Sequence, residues 1–305
     1  MSGHGHHHHH HIDPAAGDAR VALAVAANLG LTLAQIVAGV IAGSLALIAD
    51  AIHNLSDALS LGIALAARRI GRRPADAAMT FGYGRAEVVA ALINYTTLIV
   101  ISVWLLAEGV MRLAAPEPVA GWIVVIVAGV ALVVDVATVL LTWAMAKSSV
   151  NIRAAFLHNL SDAMASVGVI VSGSLILLYG WYWLDAAATL AIAGYILWQS
   201  AAGLKPVVRI LMLASPEGID PREVLDAMRA QQGVRDVHHL HIWRMQEHEG
   251  ALEAHVVLDG DRPAQEVRLA LRDMLEARFG LAHSTLQIET PETACPDDRA
   301  IGHRV

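Results

Sequence analysis

Six apolar stretches, each at or above the ~20 residues an α-helix needs to cross bilayer hydrocarbon, constrain this chain more than any other feature. They run over residues 21–42, 44–67, 86–113, 119–146, 151–179 and 184–204. Only 16% of the 305 residues are charged and 56% are hydrophobic, against about a quarter charged in an average soluble domain. These stretches are therefore expected to be six transmembrane α-helices, because only a helix or a closed barrel satisfies its own backbone in lipid.

Lys and Arg in short connections set the orientation, since they are retained on the cytoplasmic side. Arg68, Arg69, Arg72 and Arg73 lie between spans two and three, Lys147 and Arg153 between four and five, and Lys205 and Arg209 after six. The connections one–two and five–six carry none, and the end where span three leads into four has only Arg112. Both termini are expected to be cytoplasmic and the chain integral to a membrane, with a bacterial inner membrane as the expected location. Trp122, Tyr179, Trp181, Tyr182 and Trp183 collect at the opposite ends of the spans, as an interfacial aromatic belt does.

The charge density rises after Ser215, and the periodicity changes with it. Residues 221–231 read as a helix, 237–243 and 252–258 as strands, 264–278 as an amphipathic helix and 284–289 as a strand. The expected organisation is a tail over 1–18, a six-helix membrane domain over 19–212, a cytoplasmic α+β domain of order αββαβ over 213–292, and a tail over 293–305. Eighty residues make a small core, which dimerisation would supplement. The tail holds Met-Ser-Gly-His-Gly and then His6 to His11, which reads either as an expression tag or as a native metal-collecting segment; no cleavable signal peptide is expected before the first span. The net charge of −7 and the lack of a basic, aromatic-interleaved patch exclude the electrostatic footprint of a nucleic-acid binder.

The hexapeptide His-Asn-Leu-Ser-Asp-Ala occurs at 53–58 and again at 158–163, inside spans two and five. His and Asp four apart project from one helix face, so each span offers an imidazole beside a carboxylate. With both termini on one side, spans two and five run antiparallel, and the pairs His53/Asp57 and His158/Asp162 can meet about a pseudo-two-fold axis. Four N and O donors converging in this way suit tetrahedral Zn2+. The plainer reading is a set of interhelical polar contacts. The histidine distribution favours the metal: of 16, seven lie in the N-terminal tail, seven at or after His238, and only His53 and His158 in the membrane region.

Zn2+ needs a neutral imidazole and an ionised carboxylate, so it displaces the protons of the empty site. A transporter exposing such a site alternately to each side exchanges Zn2+ for H+ without a nucleotide. Asn54, Ser56, Asn159 and Ser161 read as interhelical hydrogen bonders more than as support for the ligands. Asp50, a turn before His53, reads as a helix-end hydrogen bonder, and Asp135 and Asp185 as isolated acids.

In the C-terminal domain His238, His239, His241, His248, His255 and His283 make a second metal site an open alternative to ordinary surface histidines, with Glu289 close in sequence. Strand alternation puts His239 and His241 on one face and His238 on the other. Cys295, the only cysteine, is either a metal ligand or a free thiol.

Several motifs together carry a resemblance: Ser44-Leu-Ala-Leu-Ile-Ala-Asp-Ala-Ile-His53 with Asp57, Thr80-Phe-Gly-Tyr-Gly-Arg85, His158 with Asp162, and His239-Leu-His-Ile-Trp243. On these the chain resembles the cation diffusion facilitators, in their zinc-exporting branch, from about residue 20 to 290. The resemblance implies a homodimer of six-helix protomers in the lipid bilayer, a metallochaperone-like cytoplasmic domain, and exchange of divalent metal ions for protons, with Zn2+ preferred. It also implies cytoplasmic-domain metal ligands at His238, His255 and His283, with His241 beside them. Two departures stand out. The loop between spans two and three offers Asp76 and no histidine, so a further ion site there is expected to be missing, and the loop between four and five has no histidine either.

An enzymatic reading fails on chemistry, because there is no His-Glu-x-x-His helix and four protein ligands leave no position for an activated water. A metal sensor or scaffold leaves the doubled membrane motif unexplained. Within transport, Co2+ or Cd2+ as main cargo, and a passive channel, remain alternatives.

Overall fold

A computed structural model describes residues 29–143, 150–245, 249–295 and 299–302; the side chains of 57–58, 60–61, 64–65, 138, 141–143 and 150–159 lie outside that description. Six apolar helices come first: α1 (Leu29–Ala42), α2 (Leu45–Gly71), α3 (Ala86–Ala114), α4 (Gly121–Trp143), α5 (Val150–Tyr179) and α6 (Trp183–Leu211). Among the described residues, α3, the Leu160–Tyr179 part of α5, and α6 are long and apolar enough to cross a membrane. The apolar parts described for α1, α2 and α4, namely Leu29–Ala42, Leu45–Ser56 and Gly121–Ala137, are shorter. α6 runs past the expected 184–204 because Pro206, though it lacks an N–H, is accommodated inside the helix.

The chain divides into two compact units, one of Met1–Gly62 with Thr96–Ser200, the other of Ile63–Tyr95 with Ala201–Val305. In the first, small residues let helices approach closely. A Cβ on Gly121 would stand 2.7 Å from the Gly173 carbonyl oxygen, and one on Gly173 would stand 2.9 Å from a Val124 methyl. Around this contact Ala46, Leu47, Val124, Ala128, Val169 and Ile176 form a buried cluster. Lipid supplies no hydrophobic drive between helices, so such close packing is what holds them.

Asp185, at the start of α6, caps the N-terminus of α2. It accepts from the Leu45 N–H at 2.8 Å, from the Ala46 N–H at 3.4 Å and from the Ser44 hydroxyl, which in turn accepts from the Leu47 N–H at 3.1 Å. An acid that sequence leaves isolated thus satisfies the free donors of another helix and fixes where α2 begins, eight residues before His53. Arg112 likewise donates to the Gly43 carbonyl at 2.6 Å.

The second unit contains α7 (Pro221–Arg229), β1 (Val234–Arg244), β2 (Gly250–Leu258), α8 (Ala264–Phe279) and β3 (His283–Glu289), the αββαβ order. The sheet order is β1-β2-β3, with β1/β2 antiparallel and β2/β3 parallel. Asp220 caps α7 through the Arg222 N–H, and Gly280 at φ 67° ends α8 in the left-handed conformation that favours glycine. The core joins Val224 and Met228 of α7, Leu271 and Leu275 of α8, and Leu240, Leu252 and Val256 of the sheet. One sheet face is therefore covered, and the other is left for polar side chains.

That alternation breaks in β1. The core takes Val237, then Leu240 and Ile242, because the register shifts between His238 and His241 and His239 adopts φ 56°. A bulge adds one unpaired residue and turns the side chains that follow. Beside it the 299–302 segment adds to the strand, with the His239 and Leu240 N–H groups donating to the Arg299 and Ala300 carbonyls at 2.8 and 3.1 Å.

Candidate metal centres

Within the helical unit, His53 on α2 and Asp162 on α5 are both buried, at 6% and 8% exposure. His53 Nε2 lies 3.2 Å from Asp162 Oδ1. Two ligands at Zn–N and Zn–O distances of about 2.1 Å in a tetrahedron are about 3.4 Å apart, so this spacing fits two donors to one ion. Tyr195 sets its ring edge-on to His53 with centroids 6.4 Å apart. Beside the pair lies a cavity of about 570 Å3, lined by His53, Ser161, Met164, Tyr195 and apolar neighbours. Asp57 and His158 fall on α2 and α5 as expected, but their side chains lie outside the described residues.

Asp76 accepts from the Tyr83 hydroxyl at 2.7 Å and from the Ala78 and Met79 N–H groups at 2.8 and 2.9 Å. These bonds, that from Tyr83 foremost, hold its carboxyl below the ordinary carboxylate range. The acid of the loop between α2 and α3 is thus engaged in shaping that loop.

The uncovered sheet face of the second unit gathers a second cluster. His238 on β1 and His255 on β2 are register partners, with ring centroids 5.2 Å apart. Glu289, at the end of β3 and 4% exposed, places Oε2 3.4 Å from His238 Nε2 and Oε1 2.9 Å from His255 Nδ1. Gln287 Nε2 and the Cys295 N–H hold that carboxylate at 2.8 and 3.1 Å. Ligand atoms of His238, His255 and Cys295 all fall within 4.8 Å of one another. His238 Nε2 is buried and makes no hydrogen bond, with Glu289 Oε2 at 3.4 Å. Two imidazoles, a carboxylate and a thiol are a donor set that Zn2+ accepts, so these residues fit the ion.

The bulge overturns the expected placement of His238 opposite His239 and His241. The His239 ring stacks on His255 at 4.7 Å and meets His241 at 5.0 Å, so histidines from both sides of the bulge gather near His255. His283 stands apart: it pairs with Ala251, whereas His255 pairs with Gln287 four residues farther along β3, about 13 Å away at the strand rise. Glu289 and Cys295 complete the cluster in its stead. Their signal in sequence was an acid closing a strand and the lone thiol six residues on. Desolvation lowers the affinity of His255 for a proton, and the neighbouring His239 and His238 add to this against the opposing pull of Glu289.

The cation efflux transmembrane domain model matches residues 21–212, and the cation efflux cytoplasmic domain model matches 216–291. The chain belongs to the cation efflux family. This family member is similar to the metal cation efflux system protein CzcD of Cupriavidus metallidurans, 35% identical over 94% of this chain and 90% of that one. It is also similar to a cadmium, cobalt and zinc/H(+)-K(+) antiporter of Bacillus subtilis, 35% identical over 86% of this chain and 85% of that one. A third relative, the zinc transporter ZitB of Pectobacterium atrosepticum, is 34% identical over 89% of this chain and 85% of that one. The family member described here is thus a metal cation efflux transporter, with a membrane domain and a C-terminal cytoplasmic domain built on a small sheet.

Proposed function

We propose that this transporter exports Zn2+ from the cytoplasm in exchange for protons by alternating access, with the ion held by His53, Asp57, His158 and Asp162. The observation that carries the reading is the 3.2 Å spacing of His53 Nε2 and Asp162 Oδ1, on the two helices that share the same hexapeptide. The apolar stretches support six transmembrane spans and the Arg-rich connections support both termini in the cytoplasm, and the bacterial relatives support an inner-membrane location. A homodimer agrees with the small C-terminal core. His238, His255, Glu289 and Cys295 hold a second, regulatory Zn2+, with His241 at its margin and His283 outside it. Protons are the counter-ion because Zn2+ and H+ compete for the same imidazoles, and histidine's ordinary pKa of about 6.5 lets a ring released from Zn2+ take up H+ near neutral pH.

The name of the Bacillus relative, which includes cadmium and cobalt, favours a second reading in which Co2+ and Cd2+ share the route. The test of both is flux in proteoliposomes under an imposed pH gradient across a panel of divalent ions. Zn2+ uptake should follow the gradient and vanish in Asp57→Ala and His158→Ala while the oligomer stays intact. Undiminished flux in either variant sinks the quartet, and flux indifferent to the gradient sinks the exchange.

A further inference from the structure

Inside the helical unit, one turn of α2 before His53, Asp50 is 1% exposed, and Gln35 of α1 is fully buried against it. Gln35 Nε2 donates to Asp50 Oδ2 at 3.1 Å. The two atoms left over, Asp50 Oδ1 and Gln35 Oε1, are buried and have no hydrogen-bond partner. Both are acceptors when the carboxyl is ionised, so two lone-pair-bearing oxygens belong to one side-chain pair with no donor for either. A buried acceptor left unmade is costly, and a buried charge more so.

One proton repairs the whole arrangement. On Asp50 Oδ1 it would supply an O–H for Gln35 Oε1 to accept, while Gln35 Nε2 still donates to Asp50 Oδ2. The result is the doubly hydrogen-bonded ring that a carboxylic acid and a primary amide form, with every polar atom satisfied and no net charge. The charged and titratable groups that face Asp50 are His53 on its own helix, Asp135 on α4 and Asp162 on α5. Asp135 in turn accepts from the Ser166 hydroxyl at 3.0 Å. Three carboxylates, Asp50, Asp135 and Asp162, thus share this interior.

We infer that Asp50 and Gln35 form a dedicated proton site, separate from the metal ligands, in which Asp50 carries one of the protons exchanged for the ion. This rests on the exchange reading above. Arrival of a divalent cation beside Asp162 brings positive charge near Asp50, which favours its carboxylate and releases the proton; departure of the cation lets the acid–amide ring re-form.

Infrared difference spectroscopy of the full chain in liposomes tests this, because a protonated carboxyl has a carbonyl stretch clear of the amide bands. The wild type at neutral pH should show that band, Asp50→Asn should lack it, and Gln35→Met should shift it upward by removing the bond to its carbonyl. An unchanged band in Asp50→Asn, or none in the wild type, overturns the proton site; the latter would mean that Asp50 is ionised and that another cation satisfies the two oxygens. Zn2+ should diminish the band, and H+ released per Zn2+ should fall by about one in Asp50→Asn with Zn2+ binding retained. A band indifferent to Zn2+ overturns the role in exchange. Failure of the quartet is read separately, as undiminished flux in Asp57→Ala. Should Asp50→Asn not fold, the Gln35→Met shift still decides the proton site.

Discussion

His53 Nε2 stands 3.2 Å from Asp162 Oδ1, an imidazole of α2 facing a carboxylate of α5 across a buried helix contact. An N donor paired with an O donor suits Zn2+, whereas a further carboxylate suits harder ions. His53→Asp is therefore expected to lower the preference for Zn2+ over Mn2+ by about tenfold or more, with Mn2+ flux gained as well as Zn2+ flux lost. Competitive uptake in proteoliposomes measures it. Relative rates identical to the wild type would show that His53 does not select the ion.

Asp185 is expected to matter for stability and not for the ion. Removing it strips the Leu45 and Ala46 N–H groups and the Ser44 hydroxyl of their acceptor. Asp185→Ala should cost roughly 1–3 kcal/mol, the range for a lost cap and for buried groups left unpaired. A lowered melting temperature in detergent with Zn2+ affinity retained is the expected result. An unshifted melting temperature would mean that water or Ser44 alone supplies the cap.

How far sequence reached differs from residue to residue. The doubled hexapeptide and the helices carrying it were legible, because helical periodicity and apolar length are local properties of the chain. The strands and helices of the C-terminal unit fell within about three residues of expectation for the same reason. His238 was assigned to the wrong face because the bulge at His239 is a tertiary event: that backbone turns to φ 56° while bonding to Arg299, sixty residues away. Asp185 capping α2 and Asp50 pairing with Gln35 are likewise contacts between helices, for which a single sequence carries no period. Cys295 lies beyond the last strand, where no pattern aims a side chain, so only the sheet's geometry brings it to His238 and His255.

The Gly121–Gly173 contact predicts an asymmetry between two small substitutions. In Gly121→Ala the new methyl meets a backbone carbonyl oxygen at 2.7 Å, which moves only if the helix moves. In Gly173→Ala it meets the Val124 side chain at 2.9 Å and the Val125 side chain at 3.2 Å, so the clash is with methyl groups rather than with backbone. Both are expected to destabilise, by about 1–3 kcal/mol as overpacking does, with Gly121→Ala the worse. Denaturation of the two variants in matched detergent compares them, and the reverse order would contradict the packing of α4 on α5 described above.

The His255 environment gives a pH dependence whose sign is fixed. Desolvation first, then His239 and His238, depress its affinity for a proton in the folded chain, against Glu289. Without metal, the unfolded chain then takes up a proton before the folded one does. The contribution of His255 to stability is thus present above its ordinary value of 6.5 and lost as pH falls below it toward the depressed folded value. Zn2+ needs the neutral ring, so His255 itself is ready for the ion at a lower pH than an ordinary histidine would be. Melting curves of the metal-free full chain from pH 7.5 downward should show a fall that His255→Gln flattens. A stability that stays level or rises as pH falls below 6.5 would contradict a depressed His255.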